Sequence, residues 1–224
     1  MMDMDKITAL LDKNKAISAV NKLIGKFSQL YPTAQDQALT GLFAKKEDSR
    51  VEMLWGIYDG YESIGRCFSK AHPAETDLDR RVNEMHLQNA MSVVIRVAED
   101  GQTARAVWQS LGHASGKTDK RDMDGYWSYR NYAADFILED EEWKFWHLHV
   151  YDIFLCDYYK SWALDAEQVS DAEVFKNYFH ISGEGAPDRA STTSWHFNKN
   201  AIYAEGCPKL PEEYKTFSDV GYGY

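Results

Sequence analysis

Two histidines stand two places apart in EWKFWHLHVYDIF, residues 142–154, and both are equipped for proton transfer. A neutral imidazole titrates near pH 6.5, so it takes or gives a proton at neutral pH with little tuning. The stretch reads as a strand. Side chains alternate along a strand, which puts Phe145, His147, His149 and Tyr151 on one face and an apolar row of Trp146, Leu148 and Val150 on the other. A half-buried strand turns the apolar row to its core and leaves the histidines outside. A sheet wrapped around a cavity allows the reverse, with His147 and His149 lining it. His-x-His is also a spacing at which both rings reach one metal ion, with His86, His113, Asp152 or Glu84 as a third ligand. No HExxH run accompanies it, and no metal site is assigned.

Other side chains suit the same chemistry. His86 sits near the start of a strand in MHLQNAMSVVI, and His113 precedes the polar run ASGKTDKRD, which is expected to be a loop, with His113 either at the cavity mouth or in solvent. Tyr31 ends the apolar face of the first helix and can present its phenol to a pocket. Tyr58 and Tyr129 can donate hydrogen bonds to a developing enolate or phenolate oxygen. Trp108 and Trp127 can stack on a ring. Asn89, Arg130 and Asn131 can orient a polar group. HASGKT lacks the GxxxxGK[ST] spacing of a phosphate loop, and the chain has no GxGxxG and no nucleophile elbow.

The elements that must position these residues come in two runs. Ile17, Val20, Leu23, Ile24, Phe27, Leu30 and Tyr31 recur at helical spacing over residues 6–31, and Pro32 stops the helix. A second short helix starts near Thr33, with Ala38, Leu42 and Phe43 inward. Val51, Met53, Trp55 and Ile57 read as a strand, Asp59-Gly60 as a turn, and YESIGRCFSKA as a third helix. From residue 85 the rhythm is that of strands, with hairpin signals at Glu99-Asp100-Gly101 and in the acidic turn 139–142. Helices followed by antiparallel strands make an α+β domain. Residues 157–224 are aromatic but weakly periodic, with prolines that favour extended chain.

Composition narrows the function classes. The net charge of −10 is spread along the chain with no basic stripe, which argues against nucleic acid. No run approaches the roughly 18 apolar residues of a membrane span, and MMDMDKITALLDKNK is not a secretory signal. Three scattered cysteines, Cys67, Cys156 and Cys207, suggest reduced thiols in a cytoplasm.

The order of elements resembles the SnoaL-like branch of the nuclear transport factor 2-like superfamily over about residues 10–155. LWGIYDGYESIGRCF resembles its strand–turn–helix segment, MHLQNAMSVVI its histidine-bearing strand, DGQTARAVW its hairpin, and GYWSYRNYAADFILEDEEWKFWHLHVY its last two strands. The resemblance implies a cone-shaped barrel, a curved antiparallel sheet wrapped around N-terminal helices, formed by residues 1–156. Residues 157–224 would be an extension packed on the domain or a neighbouring subunit. It further implies a cofactor-independent lyase, a dehydratase or carbon–carbon-cleaving enzyme, acting on an aromatic or polycyclic small molecule in a homodimer or homotrimer. His86, His147, His149 and Tyr31 would transfer protons; Tyr58, Asn89, Trp108, His113, Trp127 and Tyr129 would bind substrate. Catalytic members often carry a Tyr on the first helix and an Asp soon after. GKFSQLYPTAQDQ departs from this, with Phe27 in that region and Asp36 late. An isomerase or cyclase of the same fold, a silent binding module and a metal enzyme built on His-x-His are the alternatives.

Overall fold

A computed structural model describes residues 3–33, 35–71, 82, 85–118, 121–163, 182–193, 202 and 207–220. Helix α1, Met4–Leu30, begins at Asp3, whose carboxylate accepts from the Asp5 backbone N–H, and buries Val20, Leu23, Ile24 and Phe27. A 3₁₀ turn, Tyr31–Thr33, follows, and then α2, Asp36–Thr40. Here Leu39, Leu42 and Phe43 are buried, whereas Ala38 faces solvent. The run expected as one strand is a hairpin, β1 (Arg50–Met53) and β2 (Gly56–Asp59), with Leu54-Trp55 at its turn. Helix α3, Tyr61–Arg66, carries on into a π-helical turn, Cys67–Ala71.

Five strands complete the sheet: β3 (Met85–Gln88), β4 (Met91–Val97), β5 (Thr103–Thr118), β6 (Arg121–Glu139) and β7 (Glu142–Asp157). The run after His113 extends β5 instead of forming a loop there; residues 119–120 lie outside the described ones. Asp140 and Glu141, both at positive φ (48° and 64°), make the tight turn between β6 and β7. The strand order is β2-β1-β7-β6-β5-β3, with β4 also on β5. All pairs are antiparallel except β1·β7, so the curved, unclosed sheet is mixed.

The inner face of this sheet packs on α1 and carries the main core, including Ala106, Trp108, Tyr132, Ala134, Phe136, Phe145, Leu148 and Val150 against Phe27 and Phe68. The outer face is not bare. Residues 182–193 run beside β2, where Arg189 bridges Ile57, and residues 207–220 cross the β4–β5 turn, where the Tyr214 and Lys215 carbonyls accept from Glu99 and Asp100. Among the described residues no helix is long and apolar enough to cross a membrane.

Candidate active site

The inner face becomes polar toward one end. On β6, Arg130 stands two residues before Tyr132 on the same face and is 6% exposed. A bulge at Ile153 on β7 pairs Arg130 with Asp152 and Tyr129 with Phe154, so Asp152 ends the inward row that begins at Leu148 and Val150. Arg130 Nε donates to Asp152 Oδ1 at 2.5 Å, an ion pair buried on both sides. Trp108 on β5 lies opposite Tyr132 and stacks on it, with ring centres 4.9 Å apart and planes 9° apart. Tyr31 is buried at the C-terminal end of α1, and the turn it starts packs against β3. His86 is on β3, its imidazole surrounded by protein although the residue keeps some exposed surface on an edge strand.

Charge and burial set distinct states for these groups. Burial, reinforced by the Arg130 cation, lowers the His86 pKa to about 3, so the ring is a neutral base at physiological pH. Burial pushes the Tyr31 and Tyr132 phenols up, against the pull of Arg130, so both stay protonated as hydrogen-bond donors. Burial works against the Arg130 charge, but Asp152 and the two phenols outweigh it and hold the guanidinium protonated. The arrangement is a neutral base, a fixed cation balanced by a carboxylate, two phenol donors and an aromatic wall. The neutral ring can take a proton, weakly while burial and Arg130 oppose its charge, and the cation and phenols can stabilise negative charge that develops beside them.

A family profile for the SnoaL-like domain matches residues 13–149. The chain belongs to the SnoaL-like family. No curated protein matches its sequence. Among solved structures, this SnoaL-like chain is similar to a hexachlorocyclohexane dehydrochlorinase of type 2 at 12% identity and TM-score 0.54, over 67% of this chain and 94% of that one. A Novosphingobium aromaticivorans protein provisionally named a scytalone dehydratase aligns at 15% identity and TM-score 0.52, over 67% and 92%. An NTF2-like protein with a cystatin-like fold from the same organism aligns at 15% and 0.51, over 67% and 90%. Identities this low establish a shared fold.

The SnoaL-like sheet separates the residues picked out from sequence. His86, Tyr31, Trp108 and Arg130 belong to the inner group. His147 and His149 are on the outer face, because Trp146 is an extra, bulged residue: Phe136 pairs with Phe145 and Asp135 with His147. Phe145 therefore turns to the core and does not share a face with the histidines. Neither histidine is in solvent, since they are 5% and 3% exposed under the C-terminal segments. His147 Nδ1 lies 2.9 Å from Asp135 and its Nε2 lies 3.1 Å from the Asp48 carbonyl, while Arg105 pairs with Asp135 at 3.0 Å. His149 Nε2 faces Thr193 Oγ1 at 3.3 Å and Glu52 at 3.4 Å. Among the described residues, no group of three or more His, Cys, Asp or Glu is placed to hold a metal ion; Glu84 is outside them.

His113, Trp127 and Tyr129 also line the outer face, where His113 packs on Trp127 at 4.5 Å and Trp127 stacks on Tyr158 at 5.2 Å. Asn89 is exposed just after β3. Tyr58 is buried, takes the Trp55 indole N–H and donates to the Gly185 carbonyl. Asn131 donates to Cys207 Sγ on the outer side. Tyr132, Gln88 and the Asp152 partnership were missed. A readable signal existed for the pair: simple alternation from Leu148 and Val150 reaches Asp152, and from Phe136 and Ala134 through Tyr132 reaches Arg130. Opposite charges thus end two apolar rows.

Proposed function

We propose that the protein is a cofactor-independent lyase in which His86 is the general base and Arg130, Tyr31 and Tyr132 stabilise the charge that develops. The observation that supports this is the placement of His86 on the sheet face that carries the buried Arg130–Asp152 pair, where burial and the Arg130 cation favour the neutral imidazole. In a dehydration, His86 takes a proton from a carbon next to the one bearing the hydroxyl. The C–H electrons form the double bond, the C–O bond breaks, and the oxygen leaves with its electrons toward Arg130. The newly formed imidazolium returns its proton to the leaving oxygen, directly or through a phenol that it then reprotonates, so water departs and the base is regenerated. Trp108 and Tyr132 form an aromatic wall suited to an aromatic or polycyclic substrate. In carbon–carbon cleavage the same base would take a hydroxyl proton instead, a C=O bond would form as the adjacent C–C bond breaks, and the carbanion would take the proton back from the imidazolium. The reading draws further support from the kinds of enzyme named among the structural neighbours, a dehydrochlorinase and a provisionally named dehydratase.

A panel of cyclic hydroxyketones and hydroxylated polycyclic compounds, followed by absorbance for new conjugation, tests this. For a converted compound, His86→Gln should lose about 10²–10⁴-fold in kcat with the fold intact. Equal turnover by wild type and His86→Gln rejects His86 as the base. We further propose self-association through the outer aromatic edge, where Tyr158, Tyr159 and Trp162 are 52%, 88% and 47% exposed. Light scattering on the eluting protein would read a monomer if this is wrong.

A further inference from the structure

We infer that Gln88 is a positioning residue that clamps the edge strand β3 across the sheet and thereby fixes His86 against Arg130. The inference rests on His86 serving as the base, and its substance is a row of side chains on the inner face.

Strand β3 has four residues and, among the described residues, pairs only with β5. Its outward side chains are partly exposed: Met85 and Leu87 are 45% and 40% exposed. What ties the strand inward is the other alternate pair, His86 and Gln88. In register, Gln88 faces Gly112 on β5, and Gly112 faces Ser128 on β6. The Gln88 side chain crosses over Gly112 and donates from Nε2 to Ser128 Oγ at 3.1 Å, while its Oε1 accepts from Ser110 Oγ at 2.9 Å. All three polar residues are buried, at 6%, 1% and 1% exposure. The crossing needs residue 112 to lack a Cβ, because a methyl there would run into the Gln88 amide and Ser128 Oγ. Gly112 is not at positive φ, so space rather than backbone conformation calls for glycine.

One amide thus spans three strands, two residues along from His86 on the same face. Ser110, which it accepts from, is paired directly with Arg130. Clamp and catalytic cation are therefore adjacent rows of one surface. The charged group that acts on His86 is Arg130 on β6, and around Arg130 in turn stand Asp152 on β7, Tyr132 on β6 and Tyr31 after α1. The clamp keeps β3 pressed onto this group and keeps water from the imidazole. Released, the strand would let the ring hydrate, and its midpoint would return toward the ordinary value.

The test needs no substrate. The His86 ring resonances, assigned by their absence in His86→Gln, are followed by NMR against pH in wild type, Gln88→Ala and Gly112→Ala. The wild-type midpoint is expected near 3. Each variant should raise it by at least about one pH unit and speed amide exchange in β3 without changing β6 or β7. Gln88→Ala deletes the clamp and Gly112→Ala displaces it, so agreement between them separates positioning from a local packing defect. Ser110→Ala with Ser128→Ala removes only the clamp's partners and serves if either first variant fails to fold. An unchanged His86 midpoint in folded clamp variants overturns the inference. Failure of His86 as the base would show instead as undiminished turnover by His86→Gln, with the NMR result unaffected.

Discussion

A histidine that stays neutral well into the acid range carries a cost in acid that stability measurements can read. The unfolded chain protonates His86 near pH 6.5, whereas the folded chain resists protonation down to about pH 3. Between those values the unfolded state binds the extra proton, so the contribution of His86 is complete above about pH 6.5 and is lost as pH falls toward 3. Urea unfolding at stepped pH should show wild type losing stability faster than His86→Gln in that window, by up to about 1.4 kcal/mol per pH unit; parallel curves would contradict the assignment. The neighbouring ion pair gives a second expectation. Arg130→Met removes the buried cation that pairs with the Asp152 carboxylate and should cost about 3–5 kcal/mol. Arg130→Met combined with Asp152→Leu should recover much of that loss, because no buried charge is then left alone. A double variant no more stable than the single one would mean the pair is not acting as a unit.

At the scale of elements, two bulges on β7 decide which side chains meet. The bulge at Trp146 turns Phe145 into the core and keeps His147 and His149 outside, and the one at Ile153 sets Asp152 against Arg130. Periodicity made α1, the two hairpins at residues 99–101 and 139–142 and the long strands legible, since each buries one regular face. Bulges break period two by one residue and leave no compositional mark, so alternation groups Phe145 with His147 and His149 although Trp146 puts it on the other face. The parallel β1·β7 pair escaped for a different reason: its partners are almost 100 residues apart, and no local pattern records such contacts. His86 could be singled out by resemblance, but its partners lay in Arg130 and Asp152, charged residues that alternation placed on apolar rows. Close packing of the 182–193 segment on the hairpin is likewise invisible in sequence. Gly56, at φ +153°, lies against the Pro187 ring, and an added Cβ would also come 2.9 Å from the Arg189 carbonyl. Gly56→Ala should therefore cost about 1–3 kcal/mol and speed limited proteolysis within 182–193; wild-type resistance would show that the segment is held elsewhere.

For the molecule as a whole, one sheet separates two buried polar networks with different duties. The inner one centres on Arg130 and Asp152, with His86 on the same face. The outer one joins Arg105, Asp135 and His147 to the Asp48 carbonyl, and Glu52 to His149, while the Glu52 carboxylate also accepts from Ser191 Oγ and from Thr192 through both N–H and hydroxyl. Charges as buried as Asp135 (0% exposed) and Glu52 (2%) persist only with partners and with a cover that excludes water. Residues 207–220 supply part of that cover: the Tyr214 and Phe217 rings lie 5.8 and 5.5 Å from the Arg105 guanidinium, and Tyr214 and Thr103 share a hydrogen bond. Glu213 pins the same segment to Lys13 on α1 and Arg96 on β4. A chain ending at Gly206 should consequently unfold at lower temperature and expose Arg105 and Asp135, yet its His86 ring should titrate as in the full protein, because the sheet lies between them. If the His86 midpoint moved with the truncation, the two faces would be coupled and the C-terminal segment would belong to the active site rather than to the scaffold alone.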